Sequence, residues 1–278
     1  MNNDELRSRI RVQLEKDYKS EIDFKKRLVV KGYANNSVIN RYSSVGLWES
    51  EHKLIKRYFT RQNRNNKDVR ILDIGCGCGR TTIPIKQMGF DVNGIDLSPD
   101  MINRAKLIAN KYKIDIDFSV MDACNLEYSD ESYDNVLFSY NGMEHIPTFK
   151  QKKKVLAEVN RILKPDGYFI FTVHNGIPLI STFRPWLVRT LDSKNIIRKK
   201  KLPYKIEVGE RYFNRYVPES IYAQIIPVFY WWKWIKQAGF ELVYINNRKR
   251  VLKDKRASKF FSLFYPYEIF HVCKKKIK

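Results

Sequence analysis

The stretch Val69-Arg-Ile-Leu-Asp-Ile-Gly-Cys-Gly-Cys-Gly-Arg80 constrains this chain more than any other. Its apolar, β-branched run from Val69 to Ile74, interrupted only by Arg70 and Asp73, predicts a buried parallel strand. Gly75, Gly77 and Gly79 end that strand, and Arg80 to Met88 continues with helical spacing. Glycines between a strand and a helix let the backbone turn sharply and approach a ligand that any Cβ would hold off. The N-terminus of the following helix, with unpaired N–H groups and partial positive charge, faces the same place. The arrangement is a nucleotide cradle.

The spacing narrows the choice of nucleotide. A dinucleotide fingerprint needs G-x-G-x-x-G, and here the last gap is one residue short; the Gly-Lys-Ser/Thr of a P-loop is absent. The form Asp73-x-Gly75-x-Gly77-x-Gly79 resembles motif I of the class I methyltransferases that bind S-adenosylmethionine (SAM). In that family the loop wraps the amino-acid end of SAM, which implies cofactor contacts at Asp73, Gly75, Cys76, Gly77 and Gly79.

Further segments fall where the same family places them. Phe90-Asp-Val-Asn-Gly-Ile-Asp96 reads as a second strand ending in a carboxylate suited to two ribose hydroxyls. Ser98-Pro99 then opens a helix, with Ser98 as N-cap and Pro99 at its first position. Ile116 to Ala123 reads as a third strand. The resemblance makes Asp96 the ribose acid and Asp122 the acid for the adenine amino group, with Leu97, Met101, Ala123 and Tyr140 in the same site. Asp134 to Tyr140 reads as a fourth strand, and Leu163-Lys-Pro-Asp-Gly167 resembles the family's turn into a fifth. These pieces cover residues 67–176.

The resemblance implies an α/β fold: a Rossmann-like three-layer α/β/α sandwich with a seven-stranded, mostly parallel sheet and an antiparallel last strand. N-terminal helices and a cap insertion are added to it. The expected organisation is one composite domain. Residues 1–66 form a helical cover, 67–176 the SAM-binding core, 177–216 a cap at the acceptor site, and 217–278 the C-terminal part of the sheet. Residues 1–31 carry an amphipathic pattern broken at Gly32. Ser220 to Ala238 reads as a helix that Pro227 kinks or divides, rising through the aromatic run Phe229 to Trp234. Phe240 to Ile245 and Tyr267 to Cys273 read as the last two strands.

Composition adds the partner classes. No apolar run reaches the ~20 residues of a membrane span. The polar start Met1-Asn-Asn-Asp-Glu lacks the apolar core of a signal peptide, so a cytoplasmic enzyme is expected. Cys76, Cys78, Cys124 and Cys273 have no zinc spacing and no metal is expected; the two thiols of the glycine loop read as packing. The net charge of +22 is uneven: residues 1–66 carry +7, 67–176 carry −1 and 177–278 carry +16. Excess positive charge outside a neutral core favours an anionic acceptor or surface, or else solvated basic faces.

The acceptor site is less defined. Asn141-Gly-Met-Glu-His145-Ile-Pro147 follows the fourth strand, where ligands of open α/β sheets lie. It resembles the loop of small-molecule methyltransferases, not the Asn/Asp-Pro-Pro-Tyr/Phe signature of base-nitrogen enzymes. His145 is the candidate base, with an ordinary pKa near ~6.5, and His174 a second candidate. Tyr42 resembles the aromatic cover over the methionine end of SAM; Trp48 reads as a helix anchor. Tyr212 and Tyr216 are the candidates for acceptor contact, and Glu207 and Glu210 for an amine or sugar hydroxyl. The expected function is methyl transfer to oxygen or nitrogen of a small or glycan-linked, anionic acceptor. An RNA methyltransferase using the basic C-terminal segment is the alternative, and a SAM-binding protein without turnover a third class. Peripheral membrane contact and oligomeric state stay open.

Overall fold

Seven strands hydrogen-bond in the order β3-β2-β1-β4-β5-β9-β8. They are β1 (Arg70–Ile74), β2 (Asp91–Asp96), β3 (Phe118–Val120), β4 (Tyr133–Phe138), β5 (Leu163–Val173), β8 (Phe240–Asn247) and β9 (Ile269–Lys275). The first five are parallel, and β9 runs antiparallel to both β5 and β8. The expected sheet is therefore present, with one reversed strand. The computed structural model describes residues 21–60, 64–176, 207–213, 221–265 and 267–276, Tyr212 and Phe213 through their backbone alone.

Alternate side chains point to opposite faces of a strand, and both faces here are covered. Leu72, Ile74, Val136, Phe138, Phe169 and Phe171 pack against helix α6 (Thr148–Ile162) and helix α7 (Val228–Gln237). Ile71, Leu137, Ile170 and Val272 pack on the other face against α3 (Glu49–Tyr58). This is the three-layer sandwich. Trp231 and Trp234 are buried in the first layer.

The strands leave β1 in both directions, β2 on one side and β4 on the other, so the carboxyl ends of β1 and β4 form the crevice where such sheets bind ligands. Two helices roof it: α1 (Glu21–Tyr33) and α2 (Asn36–Ser44). Their chain break is later than the pattern suggests, because Gly32 is helical. A Cβ there would lie 2.2 Å from Ile221, so the glycine is what lets α1 sit down on the strand beneath it.

That strand corrects the reading of Ser220–Ala238. Ile221–Gln224 is β7, paired antiparallel with β6 (Glu210–Phe213) in a separate two-stranded sheet, and the helix begins only at Val228 after Pro227. The residue before a proline is pushed out of the helical region, and pairing with β6 takes up the freed backbone. Within the expected cap, residues 177–206 and 214–216, Tyr216 included, lie outside the described residues. Glu207 and Glu210 are engaged internally: Glu207 accepts from Phe149 N and Gln224 Nε2, both at 3.0 Å, and buried Glu210 pairs with buried Lys25 of α1.

Candidate functional site

The glycine loop is held from below. Thr81 and Thr82 hydroxyls donate to Asp73 Oδ2 at 2.5 and 2.6 Å, tying β1 to the start of α4 (Thr82–Gln87). Burial pushes the Asp73 carboxyl up to about 6, against those two hydrogen bonds. Asp73 thus points beneath the loop, and neither it nor Gly79 lines the cavity above. Gly75, Cys76 and Gly77 do line it. Gly77 has φ +54° with no atom within 4 Å of where a Cβ would stand, so its bare backbone faces open space.

Asp96, at the tip of β2, binds the loop from the side. Its Oδ2 accepts from Gly77 N at 2.9 Å and its Oδ1 from Ser98 N at 2.8 Å. Ser98 caps α5 (Pro99–Lys111), accepting from Met101 N. Asp122 follows β3; its Oδ1 accepts from Cys124 N at 2.9 Å, and its Oδ2 holds the ammonium of Lys26 on α1. Asp96, Leu97, Met101, Asp122, Ala123, Tyr42, Tyr140 and His145 all line one cavity. Cys76 and Cys78 are buried free thiols. Burial pushes the Cys76 thiol well above its ordinary value, which keeps it protonated and inert, in line with a packing role.

One wall rests on a buried ion pair. Arg80 donates to both oxygens of Glu51 at 2.8 and 2.6 Å and also to Ser139 Oγ. Its guanidinium lies 4.6 Å from the Tyr140 ring centroid, and Tyr140 packs against Trp48 and Tyr42. Tyr140 and Asn141 both have positive φ, 53° and 63°, a conformation uncommon outside glycine. It is held by Asn141 N donating to Thr172 Oγ1 at 2.8 Å. The chain therefore turns directly from β4 into the short helix Gly142–Glu144, which delivers His145 to the cavity.

His145 is fixed at both nitrogens. Nδ1 lies 2.8 Å from the Tyr222 carbonyl of β7, which can only accept, so Nδ1 carries the proton and Nε2 the lone pair. The hydroxyl of Tyr33, at the end of α1, sits 2.9 Å from Nε2 and also lines the cavity. Burial holds the imidazole below its ordinary value. His174 takes another position: it pairs with buried Glu144 at 3.0 Å and is absent from the cavity lining. Burial opposes charge on both partners, yet the pairing raises His174 and lowers Glu144. Fully buried Lys152 reaches from α6 to the carbonyls of Met143, Glu144 and Ile146, clamping the turn that carries His145. Tyr212 lies on β6 opposite Tyr222 in register. Sequence reasoning missed Lys26 and Tyr33, which reach the cavity from α1, Arg80 and Ser139, which line it beside the glycine loop and Tyr140, and Lys152, which clamps the turn that carries His145.

The donor set suits SAM: two strand-tip carboxylates, a bare glycine backbone and an aromatic wall around one cavity. Residues 71–167 match the family model described as a methyltransferase domain. Those residues, with this sheet order and cradle, form a methyltransferase domain with the fold of the class I SAM-dependent enzymes. The chain is 31% identical over 114 residues to the putative methyltransferase YqeM of Bacillus subtilis, covering 41% of this chain and 46% of that one. The chain spans about half the length of the curated relatives it matches. In fold it is similar to a SAM-dependent methyltransferase of Methanosarcina mazei, at TM-score 0.64 and 19% identity, covering 84% of this chain and all of that one. It is also similar to phosphoethanolamine N-methyltransferase 2 of Haemonchus contortus, solved with phosphomonomethylethanolamine and S-adenosylhomocysteine. There the TM-score is 0.59 and the identity 19%, over 93% of this chain and 60% of that one.

Proposed function

We propose that this chain transfers a methyl group from SAM to oxygen or nitrogen of a small or glycan-linked, anionic acceptor. When bound, SAM supplies a methyl already activated by its sulfonium, so the protein contributes chiefly proximity and alignment. In this reading Asp96 accepts the ribose hydroxyls with lone pairs left over from Gly77 and Ser98. Asp122 accepts the adenine amino group, and Gly75, Cys76 and Gly77 receive the amino-acid end.

The observation that carries the acceptor side is the Tyr33–His145 pair on the cavity wall. An acceptor hydroxyl or ammonium gives its proton to the Tyr33 oxygen as Tyr33 passes its own to His145 Nε2. The resulting imidazolium keeps its Nδ1–H on the Tyr222 carbonyl and gains the nearby Glu144 charge as a favourable partner. The roof of α1 and α2, with Lys26, Val29, Tyr33 and Tyr42 in the lining, favours an acceptor small enough to pass beneath it.

Tritiated-methyl transfer from SAM into extract separated into RNA, lipid, polysaccharide and small-molecule pools tests this. Label in the small-molecule or glycan pool, lost in Tyr33→Phe, is the expected result. Label in RNA would replace the acceptor class. SAM affinity with no label in any pool would make the chain a binder without turnover.

A further inference from the structure

Beyond β8 the chain forms α8 (Arg248–Leu252) and α9 (Lys259–Phe264) before returning as β9. We propose that α8, α9 and the loop between them are a docking surface for an anionic lipid bilayer. Residues 248–259 hold seven Lys/Arg and one acid, and basic clusters of this density are what anionic headgroups attract. Directly after them, Phe260, Phe261 and Phe264 are 64, 43 and 46% exposed, and Tyr267 is 63% exposed. Large apolar rings beside cations, on a short helix lying against the sheet, are the composition of an element that seats itself among headgroups. Among the described residues no helix is long and apolar enough to cross a membrane, so the contact proposed is peripheral.

The surface is built. Buried Asn246 donates from Nδ2 to the carbonyls of Lys255 and Arg256 at 3.1 and 2.9 Å, and Tyr244 donates to Lys255 O at 3.1 Å. Pinning those carbonyls inward leaves the basic side chains of the loop exposed. Ser258 caps α9, accepting from Phe261 N, and Asn175 after β5 donates to the carbonyls of Ser262 and Leu263.

Position and charge decide the occupant. Because β8 and β5 are both antiparallel to β9, α8 leaves the sheet at the edge where the cavity opens. Arg248 lies 4.0 Å from the Trp48 ring centroid, and Trp48 packs on Tyr140 of the cavity wall. A bilayer held here would lie beside the catalytic edge. A second copy of the chain would set two strongly basic patches against each other. A single-stranded nucleic acid would stack its bases on open ring faces, whereas Phe260 packs on Phe264 and Phe261, with centroids at 4.9 and 5.7 Å.

The proposal is independent of the acceptor reading and is tested with the full chain by co-sedimentation. The probes are vesicles of phosphatidylcholine, alone and with a quarter phosphatidylglycerol. Expected is association with the mixed vesicles roughly tenfold or more above the neutral ones, weakened by salt. Phe260→Ser with Phe264→Ser, and Lys253→Gln with Lys255→Gln and Arg256→Gln, should each lose that association while keeping wild-type SAM affinity by calorimetry. Exposed side chains make folding of these variants the expectation, and the calorimetry checks it. Wild-type protein left in the supernatant would overturn the proposal, as would folded variants that sediment like wild type. Two further results would do the same: phenylalanine variants that only turn a dimer into monomers, or single-stranded RNA bound through these residues without vesicle association.

Discussion

Lys26 on the roof helix α1 holds its ammonium against Asp122, the acid that follows β3 on the floor of the cavity. The two residues are 96 positions apart, and the pair closes the roof over the position assigned to the adenine amino group. Both side chains remain partly exposed, so the pair is worth no more than about 1 kcal/mol. If Lys26 competes with adenine for Asp122, Lys26→Met should tighten SAM binding by up to about fivefold. Calorimetry at low and moderate salt checks this, with the difference shrinking as salt screens the pair. Weaker binding in the variant would mean that Lys26 contacts the cofactor.

The Tyr33–His145 pair makes a kinetic prediction. Tyr33→Phe removes the hydroxyl that meets His145 Nε2, and His145→Ala removes the proton's destination. Each should leave SAM affinity within a few-fold of wild type and lower kcat by about 10²-fold or more, the usual range for lost general-base catalysis. A base must be neutral, and burial lowers the imidazole's pKa. The acid limb of kcat/KM should therefore fall below the ordinary value of ~6.5. A wild-type acid limb above the ordinary value, or full kcat in both variants, would remove the pair from the chemistry.

Asp96 separates binding from scaffolding. Both its oxygens accept backbone N–H groups of the loop and of the helix start. Asp96→Ala leaves those donors unpaired, at about 1–3 kcal/mol each, and should abolish detectable SAM binding while lowering Tm. Asp96→Asn keeps one acceptor oxygen and should keep most of the stability but lose affinity. Unchanged SAM affinity in Asp96→Ala would displace the cofactor from this crevice.

What the sequence made legible was local. The strand-loop-helix from Val69, the Asp96 tip and the Ser98-Pro99 start are written in neighbouring residues, and the chain folds them as read. Thr81 and Thr82 hold the Asp73 side chain from below, and hydroxyl direction is not a spacing property. Ile221–Gln224 was misread because its strand exists only through pairing with β6, although Pro227 already carried the signal that the helix starts there. Lys26, Tyr33 and the Glu51–Arg80 pair were invisible for the same reason: each joins the site from a different element. Tyr33 in particular ends a helix whose pattern speaks only of packing.

Lys152 gives a prediction about stability and pH. Burial strips its ammonium of water and pushes its pKa down to about 7, although Glu144, Glu207 and Glu210 pull the other way. A neutral amine keeps two N–H donors for the carbonyls of the 143–146 turn. The unfolded chain holds the lysine proton up to its ordinary value near ~10.4, whereas the folded chain has largely released it above about 7. Between those limits the unfolded state binds more protons, so this residue makes stability rise with pH, by at most about 1.4 kcal/mol per unit. Below about pH 7 both states are charged and the contribution is lost. Lys152→Met should lower Tm at every pH, because the carbonyls of that turn lose their donor, and should lack that rise. Chemical denaturation at pH 7, 8 and 9 should therefore show a wild-type advantage that widens with pH, since the other titrating groups are common to both proteins. Parallel curves would mean that Lys152 stays charged inside the fold and that the carbonyl clamp, not burial, sets its protonation.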